Sequence, residues 1–259
     1  MVIMFTIYAF LLGSILASFF GVIIYRVPNN MSIINPPSFC PNCNHKIKWY
    51  ENIPILSFIF LKGKCSNCKA SIGWFSFFYE LLGGIIFALT FLAFKFSYIT
   101  IFMLVIVAIL YLIAGYDFKT NTILDLCWIG LLIVSLGLYA YRIFALKENF
   151  LEYLLGAVIG FAFFFLVKII GKAIKKVDCL GMGDVILMGI AGLIIGYKGL
   201  LLAILIASVT GSIIEIILLK TNKRKKDSEI AFCPYLVLGI FIAMLYGTNI
   251  INWYLGLVM

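Results

Sequence analysis

Residues 99–117 read ITIFMLVIVAILYLIAGYD, an unbroken apolar run that ends in a carboxylate, Asp117. No side chain from Ile99 to Tyr116 carries a charge, and a helix of that length reaches across most of the ~30 Å hydrocarbon core of a bilayer. An acid at the end of such a run stands at membrane depth or at its edge. There an ionised carboxylate costs roughly 3 kcal/mol or more, which makes it a functional candidate by default. A second acid of the same kind is Asp184, in Gly181-Met182-Gly183-Asp184 at the start of another apolar segment.

The chain around this run has the same character. Of its 259 residues 64% are apolar and 12% charged, which excludes a soluble globular domain. The pattern predicts an all-α polytopic membrane protein with about eight spans, near 2–25, 77–95, 99–116, 123–142, 150–171, 183–196, 198–219 and 231–257. Met1 to Tyr25 lacks a basic leader region and a small-residue cleavage site, so it reads as a span rather than a signal peptide. Three regions follow: a first transmembrane helix (1–25), a polar loop domain (26–76) and a transmembrane core (77–259).

Lysines and arginines orient these spans. If the loops after spans one, three, five and seven face the cytoplasm, they collect 16 of the 20 basic residues, including Arg26, Lys119, Lys168 and the run Lys223-Arg224-Lys225-Lys226. Only Lys95, Arg142, Lys147 and Lys198 remain outside. This is the positive-inside asymmetry, with both termini on the outer face. The net charge of +9 is then a topology signal for a bilayer partner, and no nucleic acid is needed to explain it.

The same topology brings Asp117, at the end of span three, and Asp184, at the start of span six, to one cytoplasmic face. Two adjacent carboxyls share a proton, so one can act as base toward a water while the other acts as acid toward a leaving amine. Gly181 and Gly183 would let backbone or substrate approach the carboxylate and tolerate unusual dihedrals at a helix start. Structural readings stand beside these: Asp184 as a helix cap, Asp117 as the first residue of a polar turn. Asp125 falls eight residues after Asp117, on a similar face of a continuous helix, as a supporting acid or a cap of the fourth span. Glu80 and Glu215 lie in apolar segments as interfacial or bundle-facing acids.

Cys40-Pro41-Asn42-Cys43 and Cys65-Ser66-Asn67-Cys68 are two C-x-x-C pairs, the spacing of a four-thiolate tetrahedral zinc site. A cytoplasmic loop keeps thiols reduced, which disfavours the alternative of disulfides. With four sulfur ligands the zinc would be structural, folding a small zinc-ribbon-like domain with little core of its own. His45 reads as a surface residue, and Cys127, Cys179 and Cys233 as small apolar residues.

These residues together resemble a known family. Leu12-Gly13-Ser14, Ile24-Tyr25-Arg26-Val27-Pro28, the two cysteine pairs around Asn52-Ile53-Pro54-Ile55-Leu56-Ser57, and Glu80-Leu81-Leu82-Gly83 look like the amino-terminal region of bacterial prepilin peptidases. Asp117-Phe118-Lys119-Thr120, Ile123-Leu124-Asp125, Gly181-Met182-Gly183-Asp184 and Pro234-Tyr235-Leu236 resemble the family's peptidase core. Leu124 stands where a proline is common, and Cys233 where a glycine often precedes Pro234. The Tyr116-Asp117 and G-x-G-D pair alone is also similar to presenilin-type intramembrane proteases.

The resemblance implies an aspartic endopeptidase of the bacterial cytoplasmic membrane that removes the basic leader of type IV prepilins or pseudopilins, with Asp117 and Asp184 catalytic. It also implies methylation of the new amino terminus from S-adenosylmethionine, assigned to residues 26–76 with Glu80 nearby; no Gly-rich nucleotide fingerprint accompanies it. A proton-coupled transporter, in which the aspartates are relay groups, and a zinc-containing assembly factor, in which they are structural, are the alternatives.

Overall fold

The computed structural model describes residues 1–175, 180–221 and 231–258. Lys176, Cys179 and the run Lys223 to Lys226 lie outside the described residues. Seven helices among those described are long and apolar enough to cross a membrane: α1 (Val2–Arg26), α3 (Trp74–Phe94), α4 (Tyr98–Thr120), α5 (Asp125–Phe144), α6 (Phe150–Lys175), α7 (Met182–Lys220) and α8 (Cys233–Val258). A short helix, α2 (Leu56–Phe60), belongs to the loop between α1 and α3. The chain divides into two compact units, Met1–Leu112 and Ile113–Met259.

In the first unit, α1 and α3 meet along a seam of small residues. A Cβ on Gly13 would lie 2.5 Å from the Gly83 carbonyl oxygen, and one on Gly84 would lie 2.5 Å from Ser14 Oγ. Between apolar helices in lipid there is little hydrophobic drive to associate, so close backbone approach and dispersion supply the attraction. This gives Gly13, Ser14, Gly83 and Gly84 a packing role. Tyr79 and Tyr111 fasten α3 to α4: their rings stack with centroids 4.5 Å apart, and each hydroxyl donates to the other's backbone carbonyl.

The loop after α1 contains no sheet among the described residues. Two isolated antiparallel bridges, Phe39 with Lys46 and Lys64 with Ser71, close two knuckle turns. The ribbon expected from the sequence is therefore reduced to its two cysteine-bearing turns.

In the second unit α7 governs the architecture. Its 39 residues would make a straight rod of about 58 Å, nearly twice the ~30 Å apolar thickness. The helix breaks at Gly196, where φ is 69° and ψ is 174°, a region open essentially to glycine alone. The arms to either side are about 21 and 36 Å long. The second arm folds back toward the start of the first. Gly211 and Glu215, late in α7, meet Tyr235 of α8, and Cys233, two residues before Tyr235, lies beside Asp184 at the start of α7. The separate sixth and seventh spans expected from the sequence are these two arms.

The break leaves carbonyls without helical partners, and Arg142 of α5 donates to that of Ile194. The guanidinium also stacks on Tyr153, 4.6 Å from the ring centroid, and lies 3.9 Å from Glu148 Oε2. Facing glycines bring α6 and the first arm together. A Cβ on Gly192 would lie 2.1 Å from the Gly156 carbonyl carbon, and one on Gly160 would lie 2.4 Å from the Met188 carbonyl oxygen.

Candidate functional site

Three helix ends of the second unit converge on one place. Asp117 sits in the final turn of α4, 6% exposed, with Tyr116 buried beside it. Its Oδ2 has no hydrogen-bond partner among the described residues, while the backbone amide of Cys233 at the head of α8 acts on the carboxylate. Buried polar atoms are nearly always satisfied, and those that are not concentrate where chemistry is done.

Asp184 is half-buried and sits in the first turn of α7, whose N-cap is Gly181 in extended conformation. Its carboxylate reaches back to the Gly181 amide, the arrangement by which an acid three residues past the N-cap satisfies an orphan donor. The N-cap position itself belongs to Gly181, and Asp184 acts on its amide from the third position of the helix. Asp184 also lies within electrostatic reach of Asp117 and of Lys168 on α6. The fully buried Cys233 side chain stands close to both acids.

The glycines work by proximity and not by dihedral freedom. Gly181 has φ −65°, and Gly183 is not among the residues with positive φ. A Cβ on Gly183 would lie 2.9 Å from Ile123 Cδ1, so the missing side chain lets the start of α7 settle against the α4–α5 connection. A Cβ on Gly181 would touch Asp184 Oδ2 at an ordinary 3.5 Å.

Asp125 does not share a continuous helix with Asp117. The chain leaves α4 at Thr120, turns through Asn121 at φ 52°, and restarts at Asp125. There the exposed carboxylate accepts from Trp128 Nε1 at 3.2 Å. This is first-turn geometry, where the helix dipole favours an acid.

Glu80 and the cysteines belong to the first unit. Glu80 Oε2 accepts the Ile55 amide at 2.8 Å, so the acid anchors loop backbone to α3. The four cysteine sulfurs lie within 4.8 Å of one another, with Cys40 and Cys68 Sγ 3.9 Å apart and Cys43 and Cys65 Sγ 4.0 Å apart. Metal–sulfur bonds of ~2.3 Å in a tetrahedron require sulfurs about 3.8 Å apart. The donor set fits zinc.

The two knuckles mirror each other in detail. Cys40 N donates to the His45 carbonyl and Cys65 N to that of Ala70; Asn44 and Lys69 take the left-handed turn position. Asn42 Nδ2 donates to Cys68 Sγ at 3.7 Å, and Asn67 Nδ2 to Cys43 Sγ at 3.8 Å. The Ala70 backbone amide, and after it Asn42, holds the Cys68 thiol down to about 6. The amides of Asn42 and Cys43 lower Cys40. Such donors prepare thiolates for a cation. His45 lends the knuckle its carbonyl, and its ring is not part of the cluster.

Sequence reading missed two neighbours of the aspartates. In the sequence Lys168 reads as a topology charge, and Cys233 as a small apolar residue at a position where a glycine often precedes Pro234. Pro234 carried a usable signal, since a proline in the first helical turn marks a helix start and hence free amides at Cys233.

Residues 11–94 match the family described as Bacterial Peptidase A24 N-terminal domain, and residues 104–216 match the Type IV leader peptidase family. Three curated relatives, each named prepilin leader peptidase/N-methyltransferase, align over nearly their whole length. The Stutzerimonas stutzeri protein is 31% identical over 97% of this chain and 94% of its own. That of Pseudomonas aeruginosa is 30% identical over 95% and 91%, and that of Bacillus subtilis 31% over 95% and 96%. No solved structure matches the chain.

Proposed function

Because the chain belongs to the type IV leader peptidase family, a family of multi-pass membrane enzymes, we propose that it cleaves the leader from type IV prepilins or pseudopilins with Asp117 and Asp184 as its catalytic pair. The observation that carries the assignment is the meeting of the two acids: one buried with an unsatisfied oxygen, the other on the first turn of a helix, each within the other's field.

In this reading the ionised carboxyl of the pair takes a proton from water as the water oxygen bonds to the scissile carbonyl carbon. The protonated carboxyl stabilises the developing oxyanion. As the C–N bond breaks, the leaving amine takes a proton from the pair, the leader keeps a new carboxylate, and the mature chain starts with a free amine. Lys168 provides positive charge within reach of Asp184, and the Cys233 amide orients Asp117.

Both acids are assigned to the cytoplasmic face of the membrane, together with the cysteine domain, because that orientation gathers the basic loops on one side. The cysteines are assigned to a structural zinc that folds residues 26–76. Methylation of the new amino terminus is proposed from the relatives' shared name, with S-adenosylmethionine supplying the methyl group. An open cleft lined by Pro36, Pro37, Phe39, Asn44 and Lys46 offers no carboxylate for a sulfonium or a ribose, so that cofactor is not assigned to it. A transporter reading gains nothing from the broken helix α7, since paired interrupted helices are the mark of that class and α7 is the one broken span among the described residues.

The deciding experiment replaces Asp117 or Asp184 with Asn in membranes, verifies unchanged expression and zinc content, and follows prepilin size on a gel. Each variant is expected to leave the precursor uncut; cleavage retained in both would end the assignment.

A further inference from the structure

One apolar surface of the first unit faces away from the protein, in a segment that length and composition would leave outside the membrane. Along Ile53-Pro54-Ile55-Leu56-Ser57-Phe58-Ile59-Phe60 the side chains of Leu56, Ile59 and Phe60 are 49%, 56% and 80% exposed. A soluble loop with that face would be an aggregation hazard. The segment is nevertheless firmly built. Phe58 packs against Trp74 and Phe77 of α3, with ring centroids 5.1 and 5.0 Å apart, and Gly63, at φ 66°, closes the following turn onto the Phe58 ring.

Its depth is fixed by Glu80. That residue lies six positions into α3, about 9 Å along the helix from Trp74, and its carboxylate holds the Ile55 amide at 2.8 Å. Because α3 has just the length needed to cross the hydrocarbon core, anything bonded to Glu80 lies below the membrane surface. Backbone in that position must satisfy its polar groups internally, and four amides of this segment have such partners. Pro54 has no amide to satisfy. The amides of Ile55, Leu56, Ser57 and Ile59 are accepted by Glu80 Oε2 and by the carbonyls of Pro54, Ile53 and Ile55. Ile55 holds φ at 64°, a value that β-branched residues seldom adopt, where it meets the carboxylate.

The outward residues continue the lipid-facing surface of α3, where Trp74 and Phe78 are 63% and 58% exposed. The segment then ends in Lys62 and Lys64, cations suited to phosphate headgroups at the point where the chain returns to water.

We propose that residues Ile53–Phe60 form a re-entrant wedge that enters the bilayer beside α3 and binds phospholipid acyl chains through Leu56, Ile59 and Phe60, with Glu80 satisfying the Ile55 amide in lipid. The occupant of this surface is the membrane of the same molecule. The cysteine knuckles on either side of the segment are thereby held against the membrane surface.

The test uses the full chain reconstituted in phospholipid nanodiscs. In a background where Trp49, Trp74, Trp128 and Trp253 are replaced by Phe, the Phe60→Trp variant should lose emission to lipids brominated close to the headgroup and be insensitive to aqueous iodide. Quenching by iodide with no effect of brominated lipid would overturn the proposal. In the otherwise unaltered chain, benzoylphenylalanine at position 60 should form phospholipid adducts on irradiation; adducts to a second copy of the chain, or none to lipid, would overturn it equally. Glu80→Ala should lift the wedge, shifting the reporter at position 60 from lipid to iodide quenching, whereas Glu80→Gln, which keeps an acceptor, should leave it in lipid. An unmoved reporter in Glu80→Ala would refute the part given to Glu80.

Discussion

A side chain on Gly183 would lie 2.9 Å from Ile123 Cδ1 and 3.2 Å from Ile123 Cβ, so the first turn of α7 rests directly on the connection that follows α4. Gly183→Ala cannot be accommodated without moving Ile123 or the turn that carries Asp184. A displacement of this order in a reacting group lowers rates by about 10–100-fold. Cleavage by Gly183→Ala is expected to fall in that range, and Ile123→Ala in the same chain should recover most of it by removing Cδ1 and Cγ1, the atoms at 2.9 and 3.3 Å. Wild-type rates in the single variant, measured in membranes at matched expression, would show that the contact does not set the geometry of the pair.

The break in α7 depends on Gly196 and Arg142 in different ways. Gly196→Ala places a Cβ on a residue at φ 69°, and that Cβ would lie 3.0 Å from Glu152 Cγ; the backbone strain alone costs about 1–3 kcal/mol. Arg142→Ala removes the donor to the Ile194 carbonyl, leaving a buried acceptor at a cost of about 1–3 kcal/mol. Both variants should melt earlier in detergent than the parent. Arg142→Lys should lie between, because an ammonium can still donate to the carbonyl but cannot stack its plane on Tyr153.

What the sequence revealed follows from the range of the interactions involved. Membrane spans are encoded by local composition, and their expected limits fall within a few residues of the helices; even the break near Gly196 is visible, because a largely apolar stretch of 39 residues exceeds one crossing. The cysteine tetrad is equally local, since each pair is fixed by its own turn. That Asp117 and Asp184 stand within electrostatic reach was reachable through charge topology, a global signal, and through the family resemblance. Glu80 reads in the sequence as an interfacial or bundle-facing acid, but that its carboxylate holds an amide 25 residues away in the chain has no local signal. The Cys233 amide reaches Asp117 only because α7 doubles back and delivers α8 to the acids. Asp125, read in the sequence as a supporting acid or as a cap of the fourth span, stands in the first turn of α5, separated from the helix of Asp117 by the left-handed turn at Asn121.

The reciprocal asparagine bonds make a prediction about metal affinity. Asn42 and Asn67 donate across the cluster to Cys68 and Cys43, stabilising thiolate charge without touching the metal. Loss of such supporting donors typically weakens metal binding by about 10–100-fold. Asn42→Ala and Asn67→Ala should each retain zinc as purified but surrender it to a competing chelator at lower concentration than the parent. Cys40→Ser should lose zinc outright and destabilise residues 26–76. Equal chelator resistance in parent and asparagine variants would remove these bonds from the account.

Two glycines in membrane helices separate packing from helix propensity. A Cβ on Gly192 would fall 2.1 Å from the carbonyl carbon and 2.2 Å from the carbonyl oxygen of Gly156, whereas one on Gly21 would meet nothing within 4 Å. The obstructing atoms at Gly192 are backbone, with no rotamer that can yield, so Gly192→Ala must separate α6 from α7. Overpacking of this kind costs about 1–3 kcal/mol, and more where close approach is itself the source of helix association. Gly21→Ala adds a better helix former in open space and should be neutral or stabilising by up to about 1 kcal/mol. Thermal unfolding in one detergent should therefore lower the midpoint for Gly192→Ala and hold or raise it for Gly21→Ala. If both variants moved together, glycine content and not the α6–α7 contact would be controlling stability.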